Sequence, residues 1–333
     1  MSLFSRFSKT AENPDEKPQR WQVTYSVDLI NNGPTDQPVS LILPVPRSIS
    51  SQKLESQPTF STPPTSTELD NVYANQYAVW ALSLKPKQQI TISETINITT
   101  NPVKHALPSG MTLASYVGKP RVEHYCKPNR FIEPNNLQIQ KLAANLSSGV
   151  SDLAKIIESF NQYLLDNLTY GNPIPGLYRA QDAIRSLASL GTVGVPTDCG
   201  GYDTLLVSML NTCGIPARIV SGFWLRPSTN YSLQTTTSPP MHAWVEILLP
   251  DGSWLPADPS VEQLRRFGRS KKIGGLGELG SDRLITSVGC DLTLDVGGQK
   301  LPVDILQCPL LYPANPEIIL NYSVSGSLLK STN

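Results

Sequence analysis

Cys199 is the residue of this sequence whose position best suits nucleophilic chemistry. It lies at the start of a predicted helix, which Thr197 or Asp198 can cap and which Gly214, followed by Pro216, ends. The first turn of a helix leaves backbone N–H groups unsatisfied and carries the positive end of the helix dipole. Both features favour a thiolate, so the sequence predicts a lowered pKa for the Cys199 thiol and a reactive nucleophile.

The residues around Cys199 support a helix and suggest close contact with its first turn. Gly200 and Gly201 each cost about 1 kcal/mol relative to alanine inside a helix, which indicates that another group, such as a substrate carbonyl, approaches the backbone there. Considered alone, Cys199 also fits a small buried side chain without a catalytic role. The rest of the predicted helix presents one apolar stripe, formed by Tyr202, Leu205, Leu206, Met209, Leu210 and Cys213.

His242 is the candidate base, and Asp258 is the candidate group that orients it. The chain has 3 histidines, and only His242 opens a strongly patterned strand. A cysteine nucleophile needs a base that takes its proton, and a third group that holds the imidazole. The alternatives are a partly exposed strand histidine and an aspartate in an Asp-Pro turn. The two faces of the strand carry Ala243, Val245, Ile247 and Leu249 on one side, and His242, Trp244 and Glu246 on the other.

The loop between these two strands decides whether Asp258 can reach His242. A tight hairpin with Asp251 and Gly252 as its two loop residues would pair Asp258 with Val245 and point the carboxyl to the wrong face. A loop with an odd number of residues, or a bulge, would place Asp258 opposite Trp244 and diagonal to His242. We predict one of these two arrangements.

The first part of the chain reads as an antiparallel β-sandwich. Alternating apolar and polar residues predict half-buried strands at 21–29, 39–45 and 90–99, and an apolar, aromatic segment predicts another at 76–84. Residues 47–75 are rich in Ser, Thr, Pro and Gln, and are either a long connection or a pair of weak edge strands. The predicted organisation is a polar tail at 1–20, the sandwich at 21–100, a connection at 101–134 and a second domain at 135–330.

Helices precede strands in the second domain, an order that predicts an α+β class. Apolar periodicity predicts helices at 137–146, at 153–168 after the capping candidate Ser151, and at 180–190. Strands are predicted at 217–225, 242–249, 254–258, 284–296 and 317–324. The polar loop at 226–240 ends directly before His242, and is either a rim or lid over the site or a tolerated surface insertion.

Composition excludes several classes of protein. Lysine plus arginine and aspartate plus glutamate both number 27 among the 333 residues, so no overall charge favours nucleic acid or an anionic membrane as a partner. We find no apolar signal-peptide core and no run of about 18 apolar residues, which predicts a cytoplasmic protein. The five cysteines are scattered and form no C-x-x-C pair, so we expect neither disulfides nor a metal site.

At this point the sequence resembles a known family. Asp198-Cys199 with its helix, the segment from Gly214 to Gly222, the run His242-Ala-Trp-Val-Glu and Asp258-Pro259 are similar to the core of the transglutaminase-like superfamily, which belongs with the papain-like cysteine enzymes. The resemblance covers roughly residues 180–260. It implies a core of helices packed on an antiparallel sheet, with Cys199 as nucleophile, His242 as base and Asp258 as orienting carboxylate.

The resemblance implies an enzyme that acts on amide bonds through a thioester, with no cofactor and no metal, on a protein or peptide substrate. We favour a cysteine protease or amidase, because no calcium site or amine-donor pocket is evident in the sequence. Transglutaminase-type transfer to an amine is one alternative, and a peptide-binding scaffold without catalysis is another. The family also uses a side-chain donor in its oxyanion hole, for which Tyr178 and Gln181 are weak candidates.

Overall fold

Both ends of the chain contribute strands to one β-sandwich. The computed structural model describes residues 13–171, 179–183, 195–225, 231–232 and 241–329. The first sandwich sheet contains, in spatial order, β12 (Tyr231–Ser232), β21 (Ile318–Leu328), β1 (Gln19–Asn31), β7 (Gln89–Thr100) and β3 (Gln52–Leu54), with β4 (Thr59–Phe60) also paired to β7. The second sheet contains β20 (Leu310–Tyr312), β2 (Gln37–Val45), β6 (Gln76–Leu84) and β5 (Ser66–Leu69).

Strand β1 shows why these residues form a sandwich. Its alternate side chains are buried, so one face of the strand lines the core between the sheets, which also contains apolar residues of β2, β6 and β7. The predicted strands at 21–29, 39–45, 76–84 and 90–99 are all present, and the segment at 47–75 forms three short edge strands. The buried residues of β1 on this face are Trp21, Val23, Tyr25, Val27 and Leu29.

The C-terminal strands differ from the predicted domain extent of 135–330. Strand β21 pairs antiparallel with β1 along its whole length, and β20 pairs with β2, so both belong to the sandwich. The predicted strand at 284–296 is two strands, β17 (Arg283–Val288) and β18 (Leu292–Val296), because Gly289 and Asp291 between them have positive φ angles of 79° and 57°. Strand β18 forms a hairpin with β19 (Gln299–Val303).

The second domain is a sheet covered by helices on one face. Its sheet has the order β14 (Trp254–Ala257), β13 (Met241–Leu248), β11 (Ala217–Trp224) and β17. The α-helices are α1 (Val122–Tyr125), α2 (Leu137–Ser147), α3 (Leu153–Asn167), α4 (Cys199–Thr212) and α5 (Pro259–Arg266). Short 3₁₀ helices lie at Pro14–Glu16 and Leu113–Tyr116. Two small sheets complete the domain: β8 (Val103–Lys104) with β15 (Gly274–Gly275) and β16 (Glu278–Leu279), and β9 (Leu168–Tyr170) parallel with β10 (Val195–Thr197).

Some predictions for this domain need correction or cannot be compared. The cap of α3 is Asp152, whose side chain accepts from Lys155 N at 3.1 Å, and not Ser151. Of the helix predicted at 180–190, only Ala180–Ala183 is described, and it is helical. The polar loop at 226–240, interpreted as either a rim or lid or a surface insertion, lies outside the described residues except for β12, which pairs with β21. In the described parts of the chain, no helix combines the length and apolarity that crossing a bilayer requires.

Helix α4 is the centre of the second domain. It packs against α2 and α3 on one side and against β11 and β13 on the other, so every residue from 200 to 211 is buried. The single apolar stripe predicted for this helix therefore underestimates its burial, since a helix enclosed on all sides has no exposed face. The start of α4, with Cys199, lies against β13.

The sandwich holds the β17 edge of the sheet of the second domain through two amide side chains. Gln52 accepts from the N–H of Ile285 at 2.7 Å and donates to its carbonyl at 2.9 Å. Asn75 accepts from Val288 N–H at 2.8 Å and donates to its carbonyl at 2.7 Å. Each amide thus pairs with β17 as a neighbouring strand would. We call this pair of contacts the amide clamp.

Glu94 is a buried carboxyl in the core of the sandwich. It lies on β7 opposite Tyr25, is 0 % exposed, and neither carboxyl oxygen has a hydrogen-bond partner among the described residues. Burial raises the pKa of Glu94 to about 8, because an unpaired charge is costly in an apolar core. The sandwich therefore contains a carboxyl that is neutral over most of the physiological pH range.

Candidate active site

A three-residue loop joins β13 to β14. Leu249 N–H donates to Ser253 O at 2.8 Å, and the residues between them, Pro250 to Gly252, form the loop. The strands pair in the register Val245 opposite Ala257, so the next pair brings Asp258 opposite Trp244. The prediction of an odd loop is confirmed, and the Asp258 side chain lies on the same face of the sheet as His242.

His242 and Asp258 form a buried hydrogen-bonded pair. His242 Nε2 lies 2.8 Å from Asp258 Oδ2, and the two residues are 2 % and 0 % exposed. Asp258 is also the N-cap of α5, where its Oδ1 accepts from Val261 N–H at 3.1 Å and from Ser260 Oγ at 3.0 Å. The carboxylate is thus held at the junction of a strand and a helix, which restricts its rotation.

The charge on Asp258 determines which nitrogen of His242 is free. Burial by itself would raise the pKa of Asp258, but His242, Arg283 and the Val261 N–H together lower it well below its usual value of 3.8. The group is therefore a carboxylate, and a carboxylate can only accept, so Nε2 of His242 carries the proton in this bond. In the neutral imidazole, Nδ1 keeps its lone pair and is therefore the nitrogen that can take a proton from a nucleophile.

Cys199 lies beside His242 through the backbone of the next residue. The backbone N–H of Ala243, the residue after His242, lies close enough to the Cys199 thiol to act on its pKa in the lowering direction. On β13 the odd-numbered residues direct their backbone N–H groups toward the β14 side and the even-numbered ones toward β11, as Leu249 and Leu248 show. Strand β14 ends at Ala257, opposite Val245, so the Ala243 N–H lies beyond the end of β14 on that side.

The acidity of Cys199 differs from the sequence prediction. Burial raises the pKa of the Cys199 thiol well above its usual value of 9.0, and the nearby carboxyls of Asp203 and Asp198 raise it further. The Ala243 N–H acts in the opposite direction but does not offset them. The predicted lowering of the pKa is therefore wrong in direction, because the start of α4 is buried against β13 and lies among acidic side chains.

Asp203 is a buried carboxyl one turn after Cys199 that sequence analysis missed. It is 0 % exposed, and neither of its oxygens has a hydrogen-bond partner in the described part of the chain. Burial raises the pKa of Asp203 well above 3.8, and Asp258 adds to this shift. Its spacing of four residues from Cys199 places both on one side of α4, which is the only sequence signal that could have indicated it.

Arg283 and Trp224 complete the surroundings of His242 and were also missed. Arg283 Nη2 donates to Asp258 Oδ2 at 2.8 Å, the same oxygen that binds His242. The Trp224 ring stacks on the His242 imidazole with centroids 4.3 Å apart, and the Arg283 guanidinium lies 4.3 Å from the centroid of the Trp224 ring. Neither residue has a spacing relation to Cys199 in the sequence. Pairing of β11 with β13 brings Trp224 beside His242, and pairing of β11 with β17 brings in Arg283.

Tyr170 is the tyrosine that the fold brings near Cys199. The parallel pair of β9 and β10 sets Tyr170 beside Thr197, two residues before Cys199, and Tyr170 N–H donates to Gln263 Oε1 at 3.0 Å. Burial raises the pKa of the Tyr170 phenol, and the Cys199 thiol is the next largest cause. The phenol therefore lies within electrostatic range of the nucleophile.

Of the two oxyanion candidates from the sequence, Gln181 lies among the described residues. Gln181 is engaged with other residues, since its N–H donates to Glu133 Oε2 at 2.8 Å and its Oε1 accepts from Asn136 Nδ2 at 3.4 Å. Tyr178 lies outside the described residues. For those residues that the structure describes, His, Cys, Asp and Glu side chains are nowhere grouped in threes as the ligands of a metal ion would be.

Comparison with known proteins relates this site to one superfamily. Residues 140–259 match the family model described as the transglutaminase-like superfamily. A protein-glutamine gamma-glutamyltransferase of Pseudomonas aeruginosa is 37 % identical over 67 residues, which are 19 % of this chain and 10 % of that protein. The chain thus matches about a tenth of the length of that relative.

Solved structures resemble a larger part of the chain. A protein from Cytophaga hutchinsonii, provisionally described as a cysteine protease, superposes with a TM-score of 0.60 at 12 % identity, over 95 % of this chain and 92 % of that one. The periplasmic domain of TgpA from Pseudomonas aeruginosa has a TM-score of 0.37 and 17 % identity, over 73 % and 78 % of the two chains. The family match includes Cys199, His242 and Asp258. Residues 140–259 of this chain form a domain of the transglutaminase-like superfamily.

Proposed function

We propose that this protein is a thiol-dependent amide hydrolase, a protease or amidase that acts on a protein or peptide substrate. The observation that carries the proposal is the buried His242–Asp258 pair at 2.8 Å, at the start of the strand against which the Cys199 end of α4 packs. These three residues are the nucleophile, base and orienting carboxylate that acyl transfer through a thioester requires.

In the first half of the reaction, Cys199 Sγ attacks the carbonyl carbon of the amide while its proton moves to Nδ1 of His242. Because burial raises the pKa of the thiol, the resting nucleophile is neutral, and proton transfer accompanies the attack. Asp258 stabilises the imidazolium that forms. The imidazolium then gives its proton to the amine nitrogen, the C–N bond breaks, the amine leaves and a thioester of Cys199 remains.

In the second half, the thioester is transferred to an acceptor. His242 takes a proton from water as the water oxygen attacks the thioester carbonyl carbon. The C–S bond then breaks, the imidazolium returns the proton to Cys199 Sγ, and the carboxylic acid is released. If a primary amine replaces water, the product is a new amide. Hydrolysis is our first choice, and transfer to an amine is the alternative that the resemblance to a gamma-glutamyltransferase segment favours.

The enzyme proposal is supported by the match to the superfamily model and by two proteins that this chain resembles. One of them is named a gamma-glutamyltransferase and the other a cysteine protease. A scaffold that binds peptides without catalysis is the remaining alternative. The nucleophile, base and carboxylate are all retained in this chain, whereas a scaffold has no need of a buried base beside a thiol.

An activated ester tests the chemistry without knowledge of the natural substrate. p-Nitrophenyl acetate would acetylate Cys199 and release p-nitrophenolate, and peptide mass spectrometry would locate the acetyl group. We expect acetylation at Cys199 in the wild type, none there in Cys199→Ala, and a rate at least about 100-fold lower in His242→Ala. His124→Ala removes a histidine outside the site and is the matched control, with an unchanged rate.

A second measurement separates hydrolysis from transfer. A library of peptides is incubated with the wild type and with Cys199→Ala, with and without an added primary amine, and products are weighed by mass spectrometry. A cleaved or deamidated product supports the hydrolase, and an amine adduct supports the transferase. Acetylation spread evenly over the five thiols, unchanged in His242→Ala, would refute both and favour the scaffold.

A further inference from the structure

The strongest unexplained contact in the site is the ion pair between Arg283 and Asp258. Arg283 lies on β17, outside the matched residues 140–259, and its side chain is 1 % exposed. Its Nη2 donates to Asp258 Oδ2 at 2.8 Å, while Nη1 lies 3.4 Å from Asp282 Oδ1. The guanidinium is also covered by the ring of Trp224. Every one of these contacts restricts its movement.

We propose that Arg283 is a positioning residue for the catalytic pair, and that the sandwich domain serves catalysis by holding the strand that carries it. This inference rests on the proposed function of Cys199 and His242. Arg283 contacts neither the thiol nor the reacting carbonyl, and acts through Asp258 on the orientation and the acidity of His242.

The orientation follows from shared hydrogen bonds. Asp258 has four donors: His242 and Arg283 on Oδ2, and Val261 N–H and Ser260 Oγ on Oδ1. With both oxygens engaged, the carboxylate cannot rotate without breaking at least two of these bonds. Loss of Arg283 leaves Oδ2 with His242 alone, so the imidazole follows a carboxylate that is less firmly held.

The acidity follows from charge. When His242 takes the proton of Cys199, its positive charge shares the single negative charge of Asp258 with the guanidinium of Arg283. The imidazolium is therefore less stable than it would be beside Asp258 alone, and it is a stronger acid. A stronger acid protonates the leaving amine more readily, and breaking an amide requires that step, because an amine anion is a poor leaving group.

The sandwich fixes β17 on its other edge. The amide clamp binds Ile285 and Val288, which lie two and five residues after Arg283 on the same strand. Before the strand, Thr100 at the end of β7 donates to the carbonyl of Ser281. Arg283 thus lies between two points at which the sandwich holds the chain, which gives the N-terminal domain a part in the active site.

Two variants of Arg283 separate its charge from its packing. Arg283→Gln removes the charge, and Arg283→Lys keeps it. The matched control is Arg218→Gln, which removes the buried arginine of the Arg218–Glu246 pair, 2.6 Å apart on the same sheet but without contact to His242. Histidine labelled with ¹⁵N reports the pKa of His242 by NMR titration, and loss of its signal in His242→Ala identifies it.

For Arg283→Gln we expect the pKa of His242 to rise by about one unit or more, because the competing guanidinium charge is gone. We also expect acetylation of Cys199 by p-nitrophenyl acetate to slow by about tenfold. Since p-nitrophenolate leaves without being protonated, this rate reports the orientation of His242 and not its acidity. For Arg283→Lys we expect a pKa within about half a unit of wild type and a smaller loss of rate. Arg218→Gln should change neither value. A residue with a merely structural role would not raise the pKa of His242, so this readout distinguishes the two roles.

The two proposals fail in different ways. An unchanged His242 pKa together with an unchanged acetylation rate in Arg283→Gln, in a protein whose acetylation depends on His242, would overturn the role of Arg283 alone. A wild type whose Cys199 is not acetylated in preference to the other thiols would overturn the proposed function. In that case a raised pKa in Arg283→Gln would still support control of the His242–Asp258 pair by Arg283. If Arg283→Gln does not fold, Arg283→Lys provides the test. Because lysine keeps the charge but not the geometry, the pKa of His242 should stay close to that of wild type while the acetylation rate of Cys199 falls.

Discussion

His242 and Asp258 are in hydrogen-bonding distance, 2.8 Å, because three residues and not two lie in the loop between the paired residues Leu249 and Ser253. Adding one residue between β14 and Asp258 changes this relation. Insertion of one alanine between Ala257 and Asp258 places the new alanine opposite Trp244 and Asp258 opposite Ala243, which turns the carboxyl to the other face of the sheet. We expect acetylation of Cys199 to fall by about 100-fold or more, to the level of His242→Ala.

The control for this insertion is Pro250→Ala, which leaves the register unchanged. It should retain the wild-type rate within about threefold, because the proline contributes no group to the site. An active insertion variant would contradict the register argument.

The pH dependence of alkylation tests the environment of Cys199. Burial and two acidic neighbours raise the pKa of the thiol, so the thiolate forms only at higher pH than in an exposed cysteine. We expect the rate of Cys199 alkylation by iodoacetamide, followed by peptide mass spectrometry, to have its midpoint above about pH 8.5. Asp203→Asn should lower the midpoint, since it removes the carboxyl that is the largest electrostatic cause, whereas Asp166→Asn on the surface of α3 should not. A wild-type midpoint below that of a free thiol would contradict this account.

Tyr170 is the residue we expect to donate to the oxyanion of the tetrahedral intermediate. Its hydroxyl has no hydrogen-bond partner among the described residues, and the phenol lies within range of Cys199. Tyr170→Phe should slow acetylation of Cys199 by about 100-fold, the usual cost of one oxyanion donor, with little change in the free energy of unfolding. Tyr163→Phe, in a tyrosine of α3 packed on the same core, is the control. Equal rates in the two variants would remove Tyr170 from the site.

The amide clamp should contribute measurably to stability. Gln52→Ala or Asn75→Ala leaves a backbone N–H and a carbonyl of β17 buried without partners, so we expect each to lower the free energy of unfolding by about 1–3 kcal/mol in urea denaturation. Gln22→Ala, on the outer face of β1, removes an exposed amide and should cost less than about 0.5 kcal/mol. Losses of unfolding free energy equal to that of the control would show that the amide clamp stabilises the fold no more than an exposed amide does.

Glu94 should make stability fall as pH rises. Its pKa is about 8 in the folded protein against an ordinary value of 4.5, so between these values the native state holds a proton that the unfolded chain has released. The contribution is full below about pH 4.5 and is lost by about pH 8, at a slope near 1.4 kcal/mol per pH unit. Glu94→Gln should flatten the pH dependence of unfolding in this range, and the exposed Glu68→Gln should not. A wild-type free energy of unfolding that stays constant across this pH range would exclude a contribution from Glu94.

The parts of the site that sequence analysis predicted are those fixed by local pattern. Helix periodicity placed Cys199 at the start of α4, and strand alternation placed His242 on β13. The odd number of loop residues placed Asp258 on the same face of the sheet as His242. Each of these relations involves residues within one element or across one short loop. For this reason they could be read before any tertiary structure was known.

The parts it missed depend on packing between distant segments. Arg283 reaches Asp258 only because β17 lies beside β11, a pairing that no local pattern indicates. The predicted direction of the Cys199 pKa shift was wrong, because burial of the first turn of α4 is a property of the packed domain and not of the helix. The place of β21 in the sandwich was missed because its alternation suits either sheet.

The pairing of β21 with β1 has a consequence for the order of folding. Strand β1 precedes the second domain in the sequence and β21 follows it, so the pair of β1 and β21 cannot form until the chain has been synthesised through β21. Helices α2 to α4 and strands β11, β13 and β14 have partners nearer in sequence and can assemble sooner. The thiol and its base would then meet before the sandwich closes on β17 and secures Arg283. Full reactivity would appear only after β1 and β21 have paired.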